Sequence, residues 1–295
     1  MLLSPPLPTF VPERDIPDLS GKVILATGAN NAIGYHTVKE LLRKGATLEA
    51  ETQRTARFLE LDLADLGSVR KAVTELLERE PELDVINNGG VMSPPTEMLT
   101  AQGLDLQFGT NIVGHFFLTE LLARPFYYIV YKLQRESSTS PPQDTPLPRR
   151  DRESSLLPSM VAPSGMRALP RGDRPHLNGS TVKVTEQHHH LELLRETIPG
   201  VIVSCALHPG GIRTELRRYG GGWIKSLKDR LLYPPEMGAL TQLWAAPMAL
   251  PAEIMGQYLI PWARIAPRGV VDPRSSNATL ENELVDHLRE RVQGY

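Results

Sequence analysis

The sequence predicts an α/β chain organised as a doubly wound parallel sheet, and three observations carry that expectation. Short aliphatic runs at Val23–Ala26, Leu59–Leu63, Leu83–Ile86 and Val201–Leu207 alternate with segments of helical periodicity. Glycines, asparagines and prolines collect where those runs stop. Strands that end in special residues, with helices between them, describe a parallel sheet whose ligand lies along the strand C-termini.

The most telling element is Gly21–Gly34, GKVILATGANNAIG. Val23, Ile24, Leu25 and Ala26 form an apolar run suited to a buried parallel strand. Gly28 and Gly34 bracket a tight turn, and Tyr35–Leu42 continues as a helix. Such a turn aims free backbone N–H groups and the positive end of a helix at an anion, commonly a dinucleotide pyrophosphate. Leu59–Leu63 reads as a strand ending in an acidic residue, followed by a helix from Leu66 to about Arg79. Leu83–Gly90 is a strand closing in an Asn-Asn-Gly-Gly turn, and Val201–Leu207 stops at His208-Pro209-Gly210-Gly211. Leu280–Val292 has the pattern of an amphipathic helix.

Composition narrows the classes. A chain of 295 residues with 41% hydrophobic residues can bury one good core. Its net charge of −2 offers no basic field for nucleic acid. No apolar run approaches the roughly 18 residues of a spanning helix. Prolines interrupt the N-terminal apolar residues, a poor secretory signal, so a cytoplasmic location is expected. The single Cys205 lies inside an expected strand and reads as a core residue, while the Asn277-Ala278-Thr279 sequon reads as idle. Three consecutive histidines, His188–His190, point about 100° apart on a helix and cannot converge on one ion, so no metal site is expected.

The chain resembles the short-chain dehydrogenase/reductase family, and within it the retinol-dehydrogenase-like branch. The resemblance rests on Thr27–Gly34, Leu61–Val69, Ile86–Met92, Leu106–Leu122 and Ala206–Leu216, extended by Glu236–Ala246 and Gly256–Ile265. It implies a Rossmann-type, three-layer sheet, partly truncated. Residues 1–295 would form a single NAD(P)-binding domain, with 1–20 as an N-terminal extension. The implied cofactor is NADP or NAD, the substrate a small alcohol or carbonyl compound, and a homodimer is common in the family. By the same resemblance Thr27, Gly28, Asn30, Ile33 and Gly34 form the pyrophosphate turn, with Ala32 where a glycine is usual. Asp62 and Leu63 match the pair that cups the adenine. Asn87, Asn88 and Gly89, with Gly90, match the ribose-backing motif, in which Gly89 replaces an alanine. Asn111 matches the catalytic-tetrad asparagine that holds a water, and Pro209, Gly210 and Thr214 match the turn facing the nicotinamide.

The family's general acid is a tyrosine tuned by a lysine four residues later, one helical turn away. In this chain Ser180 and Val184 fall in those slots, with Lys183 one position off. Tyr128-Ile129-Val130-Tyr131-Lys132 has the spacing but follows Asn111 too closely, in strand-like sequence that would hold the two side chains roughly 13 Å apart. The family serine has no counterpart; Ser154, Ser155 and Ser159 sit in unsuitable sequence.

Two stretches account for these losses. Between a strand at Ala46–Glu51 and another starting near Arg57, Leu48–Arg57 leaves no room for the helical crossover that parallel strands need. The sheet edge must therefore be rearranged or shortened, and the residue that would choose between the two cofactors goes with it, leaving Arg54 as a loosely placed candidate partner for a 2′-phosphate. Residues 135–178, dense in Pro, Ser, Arg and Asp, are expected to be a disordered insert. Within them Pro141–Pro148 reads as an unselected loop, and Arg149, Arg150 and Arg152 alternate with Asp151 and Glu153 as a solvated face. Gly220-Gly221-Gly222-Trp223 reads as the start of a flexible lid on the substrate side. The alternative function is a non-catalytic remnant that binds a dinucleotide or a protein partner. Separately, both departures have the form of lost or misread coding segments in an intact reading frame, as in a mis-spliced form of an active reductase.

Overall fold

Successive residues of a strand face opposite sides of its sheet, so an all-apolar strand must be covered on both faces. The first strand, β1 (Val23–Ala26), obeys this rule. Its Leu25 joins one hydrophobic cluster, while Ile24 and Ala26 join the other. A computed structural model of the chain describes residues 8–49, 56–80, 83–123, 205–214, 232–246, 251–267 and 277–295.

The central sheet has the order β3-β2-β1-β4, all parallel, with β2 at Thr47–Glu49, β3 at Ala56–Arg57 and β4 at Asp84–Ile86. The strand order reverses between β1 and β4, and in open α/β sheets the ligand crevice lies outside the strand ends at such a point. A second sheet contains β5 (Ala206–Leu207), parallel to β6 (Tyr258–Ile260), which pairs antiparallel with β7 (Arg264–Ile265). The antiparallel β7 has no counterpart in the sequence reading.

Layers of helix cover both faces. After the short α1 (Pro12–Asp15), α2 (Ala32–Arg43) buries Val38 and Leu41 in the same cluster as Leu240 and Leu243. Phe10, Ile16 and Leu19, which precede β1, fill that cluster too. On the opposite face α3 (Leu66–Leu77) contributes Leu66, Val69, Ala72, Val73 and Leu76 at helical spacing. Next to it runs a helix that starts as α4 (Leu106–Phe108), passes through a π-helical turn at Gly109–Gly114 and is α-helical over 115–123. On the first face, α5 (Pro235–Ala245) packs along α2: Gln242 donates to Thr37 Oγ1, and Thr37 donates to the Ile33 carbonyl at 2.9 Å. The short α6 (Pro251–Ile254) precedes β6, and the C-terminal α7 (Ala278–Val292) closes the other face with Val285, Leu288 and Val292. Asn277 accepts from the N–H groups of Thr279 and Leu280, which makes the sequon asparagine a helix cap.

The expected β1, α2, α3, β4 and C-terminal helix are all present. Leu59–Leu63 is not a strand. Leu59 and Leu63 are buried while Glu60 and Asp62 are exposed, the alternation that suggested one. The backbone polar groups nevertheless turn to local partners: Asp62 N–H donates to Ser68 Oγ, Ala64 N–H to Asp62 Oδ1, and Asp65 N–H to the Asp62 carbonyl. The strand lies upstream and is two residues long, pairing Leu48 with Ala56 and Glu49 with Arg57. The edge is thus shortened, and remains parallel. Residues 50–55, Tyr128–Lys132, 135–178, Ser180, Val184, His188–His190, 201–204 and Gly220–Trp223 lie outside the described residues.

The last helix offers a direct check on this packing. Leu288 is 1% exposed and Leu280 43% exposed. Leu288→Ala is expected to cost about 2–5 kcal/mol in denaturant unfolding, and Leu280→Ala less than about 0.5 kcal/mol.

Candidate functional site

The glycine turn forms because β1 ends where α2 must begin almost at once. Gly28 takes a φ of 64°, a region that glycine enters without penalty, and a methyl on Gly34 would drive into the Gly28 carbonyl oxygen. Ala32, where the family favours glycine, carries a φ of 42°. Asn30 and Asn31 are exposed on the turn. Ile33 sends its side chain inward over Gly238, so at this position the turn presents its backbone.

The start of α2 is chemically open. Asn31 occupies the N-cap without a side-chain capping bond, and no acidic residue lies in the first turn. Asp65, Asp105 and Asn277 do cap their helices, accepting from Gly67, Phe108 and Thr279 respectively. The first N–H groups of α2, with the positive end of its dipole, therefore suit an anion at the sheet's switch point.

Three rungs fasten the tail of β4 to its surroundings. Asn87 Nδ2 donates to Thr119 Oγ1 at 3.4 Å, and Thr119 donates to the His115 carbonyl at 2.8 Å. Asn88 Nδ2 donates to the carbonyls of Thr27 at 3.1 Å and Gly28 at 3.2 Å, while Gly89 N–H donates to Thr27 Oγ1 at 2.9 Å. Asn111 pairs with Val91 at both ends of its amide: Val91 N–H donates to Oδ1 at 2.9 Å, and Nδ2 donates to the Val91 carbonyl at 2.8 Å. Asn111 and His115 are buried, at 3% and 1% exposure, in and just after the π-helical turn. Asn87 Oδ1 is buried with no hydrogen-bond partner among the described residues.

His115 joins two of these rungs. Its Nδ1 lies 3.0 Å from the Asn111 carbonyl and its Nε2 lies 2.9 Å from Thr27 Oγ1. A carbonyl can only accept, so Nδ1 carries the proton; in the neutral ring Nε2 then accepts from the Thr27 hydroxyl. The expected site residues gave His115 no role, although it sits four residues after Asn111 in a helical pattern. That spacing is the signal that could have found it.

Asp62 is exposed, with its carboxylate turned to Ala64 N–H, and buried Leu63 places Cδ1 against Gly89. The second turn follows β5. Gly210 has a φ of 97° and donates to His208 Nδ1 at 3.0 Å, which leaves the imidazole proton on Nε2. Burial pushes the His208 pKa below its usual value, so this ring is neutral. Pro209 and Thr214 are half-buried in the same turn, which is held by backbone bonds between Gly211, Arg213 and Tyr233. The two turns meet at Gly238 on α5: the position a methyl would occupy there lies 2.8 Å from Ile33 and 2.9 Å from Ile212. Neither Gly238 nor Val91 was singled out from sequence. Burial raises the Cys205 thiol to about 11, which makes it an unreactive, half-buried group packed against the core. Among the described residues no group of three or more His, Cys, Asp or Glu side chains could hold a metal ion.

Ala32 provides a test of the turn geometry. A left-handed alanine costs about 1–2 kcal/mol, and glycine returns about half of that through unfolded-state entropy. Ala32→Gly is therefore expected to raise the midpoint of thermal unfolding by about 1–3 °C. A lower midpoint would contradict the left-handed assignment.

The chain is similar in sequence and in fold to known proteins. Residues 22–129 match the family described as short chain dehydrogenase. The chain is 35% identical over 283 residues to a short-chain dehydrogenase/reductase of Armillaria gallica, covering 88% of this chain and 87% of that protein. It is 29% identical over 251 residues to retinol dehydrogenase 11 of Mus musculus, covering 77% and 74%. Among solved structures, 3-ketoacyl-(acyl-carrier-protein) reductase from Brucella melitensis complexed with NADH superposes with a TM-score of 0.52 at 20% identity, covering 82% of this chain and 97% of that one. A parallel sheet with a glycine turn at its switch point, and one-third identity across most of two chains, lead to one conclusion: this protein belongs to the short-chain dehydrogenase/reductase family of oxidoreductases.

Proposed function

We propose that the protein is a nicotinamide-dinucleotide-dependent oxidoreductase that interconverts an alcohol and a carbonyl compound, with NADP or NAD as cofactor. The observation that carries this reading is the open N-terminus of α2 beside the locked glycine turn. Thr27, Gly28, Asn30, Ile33 and Gly34 would hold the pyrophosphate, Ile33 through its backbone alone. Exposed Asp62 with Leu63 would flank the adenine, and Asn87, Asn88 and Gly89 would back the ribose. The buried, unpartnered Oδ1 of Asn87 fits that role, because a ribose hydroxyl is a donor. Pro209, Gly210 and Thr214 would face the nicotinamide. The bound nicotinamide supplies or receives the hydride.

Asn111 holds the loop at Val91 with its amide, so a water of the proton relay falls to its main-chain carbonyl, which also accepts from His115. Members of this family act on small molecules, and the retinol dehydrogenase among the relatives supports a lipophilic substrate. No helix among the described residues is long and apolar enough to cross a membrane. A cytoplasmic location, one domain over 1–295 and a homodimer belong to the same proposal. A second reading, a dinucleotide binder without turnover, is favoured by one observation: Ser180 and Val184 stand in the slots of the family's tyrosine and lysine.

The test pairs binding with turnover. At saturating NADP or NAD, about 100 times Kd, ligand linkage predicts a rise in the unfolding midpoint of about 5–10 °C. Gly34→Ala should abolish that rise by breaking the turn. Reduced-nicotinamide oxidation on a panel of lipophilic carbonyl compounds supports the first reading. A full thermal shift without oxidation selects the second. No shift with either dinucleotide removes both.

A further inference from the structure

The strongest unassigned feature is a buried histidine with no part in the expected chemistry, wired to both halves of the site. His115 is 1% exposed and lies between the Thr27 hydroxyl and the Asn111 carbonyl, at 2.9 and 3.0 Å. In a regular α-helix the Asn111 carbonyl would accept the main-chain N–H four residues on, which belongs to His115. The π-helical turn diverts that N–H to the Ile112 carbonyl, and the ring of the same residue meets Asn111 instead. Thr27 is correspondingly committed inward. Its N–H donates to the Ile86 carbonyl, its carbonyl accepts from Asn88, and its Oγ1 accepts from Gly89. The one remaining direction of that side chain, the hydroxyl proton, goes to His115 Nε2.

We propose that His115 is a positioning residue for the dinucleotide: by accepting the Thr27 hydroxyl it fixes the glycine turn, and by donating to Asn111 it ties that turn to the asparagine. This rests on the dinucleotide reading given above. The imidazole suits the task because its two nitrogens are a donor and an acceptor held apart by a rigid ring. No flexible side chain of similar size presents both at fixed separation. The two bonds can therefore be removed separately. His115→Gln keeps an acceptor near the Nε2 position, facing Thr27, and loses the bond to Asn111. His115→Asn keeps a donor near the Nδ1 position, facing Asn111, and loses the bond to Thr27.

The experiment measures NADP and NAD affinity by calorimetric titration of the full chain, with the unfolding midpoint recorded for each variant. Both variants are expected to unfold at lower temperature, because each leaves one buried group short of a partner. Affinity should separate them. His115→Gln should bind within about twofold of wild type, and His115→Asn about tenfold more weakly. Thr27→Val removes that bond and also the acceptor of Gly89 N–H, so it should weaken binding at least as much, and adding His115→Asn to it should cost little more, since the bond to His115 is already gone. Equal affinity losses in His115→Gln and His115→Asn, no loss in either, or full additivity with Thr27→Val would each overturn the proposal. A wild-type chain that binds neither dinucleotide would instead defeat the reading on which the proposal rests.

Discussion

The site depends on how the tail of β4 is tied down. Residues Asn87–Val91 leave the sheet at its switch point, beyond the strand ladder, and are fastened there by side-chain amides as well as backbone N–H groups. Asn88 and Gly89 take up the end of β1, Asn87 reaches Thr119, and Val91 pairs with Asn111. The glycine turn, the π-helical turn and the strand end are thereby set by one bonded ring. A rigid arrangement of this kind presents backbone N–H groups to a ligand without first having to order them.

The same ring links two elements that lie far apart in the sequence. Thr27 belongs to the turn beside the open end of α2, and Asn111 belongs to the helix across the crevice. His115 spans the gap between them. Gly238 does the corresponding job on the other side, where the lack of a side chain lets α5 settle against both Ile33 and Ile212. The relative position of the two strand-end turns is thus set by packing, and the position of the asparagine by hydrogen bonding.

Much of this was legible in the sequence, for a physical reason. Where a residue type is dictated by backbone geometry, as at Gly28 and Gly34, or by a buried amphipathic face, as in Leu66–Leu77, its local pattern announces it. The strain at Ala32 was also readable, since a methyl stands where φ is positive. Leu59–Leu63 misled because burial alternates along it while its hydrogen bonds close locally, and alternation reports only the first. His115, Val91 and Gly238 were missed because their partners lie 20 to 205 residues away in sequence, with the sole exception of the short His115–Asn111 spacing. No local pattern encodes such contacts.

The central claim is that the ends of β1 and β4, locked together, form a dinucleotide site. Amide hydrogen exchange on the full chain, with and without saturating NADP or NAD, tests it most directly. Protection should concentrate at residues 28–35, 87–91 and 208–214, with little change in the Ala278–Val292 helix. Protection spread evenly over the chain, or absent from the glycine turn while the dinucleotide is demonstrably bound, would contradict the account.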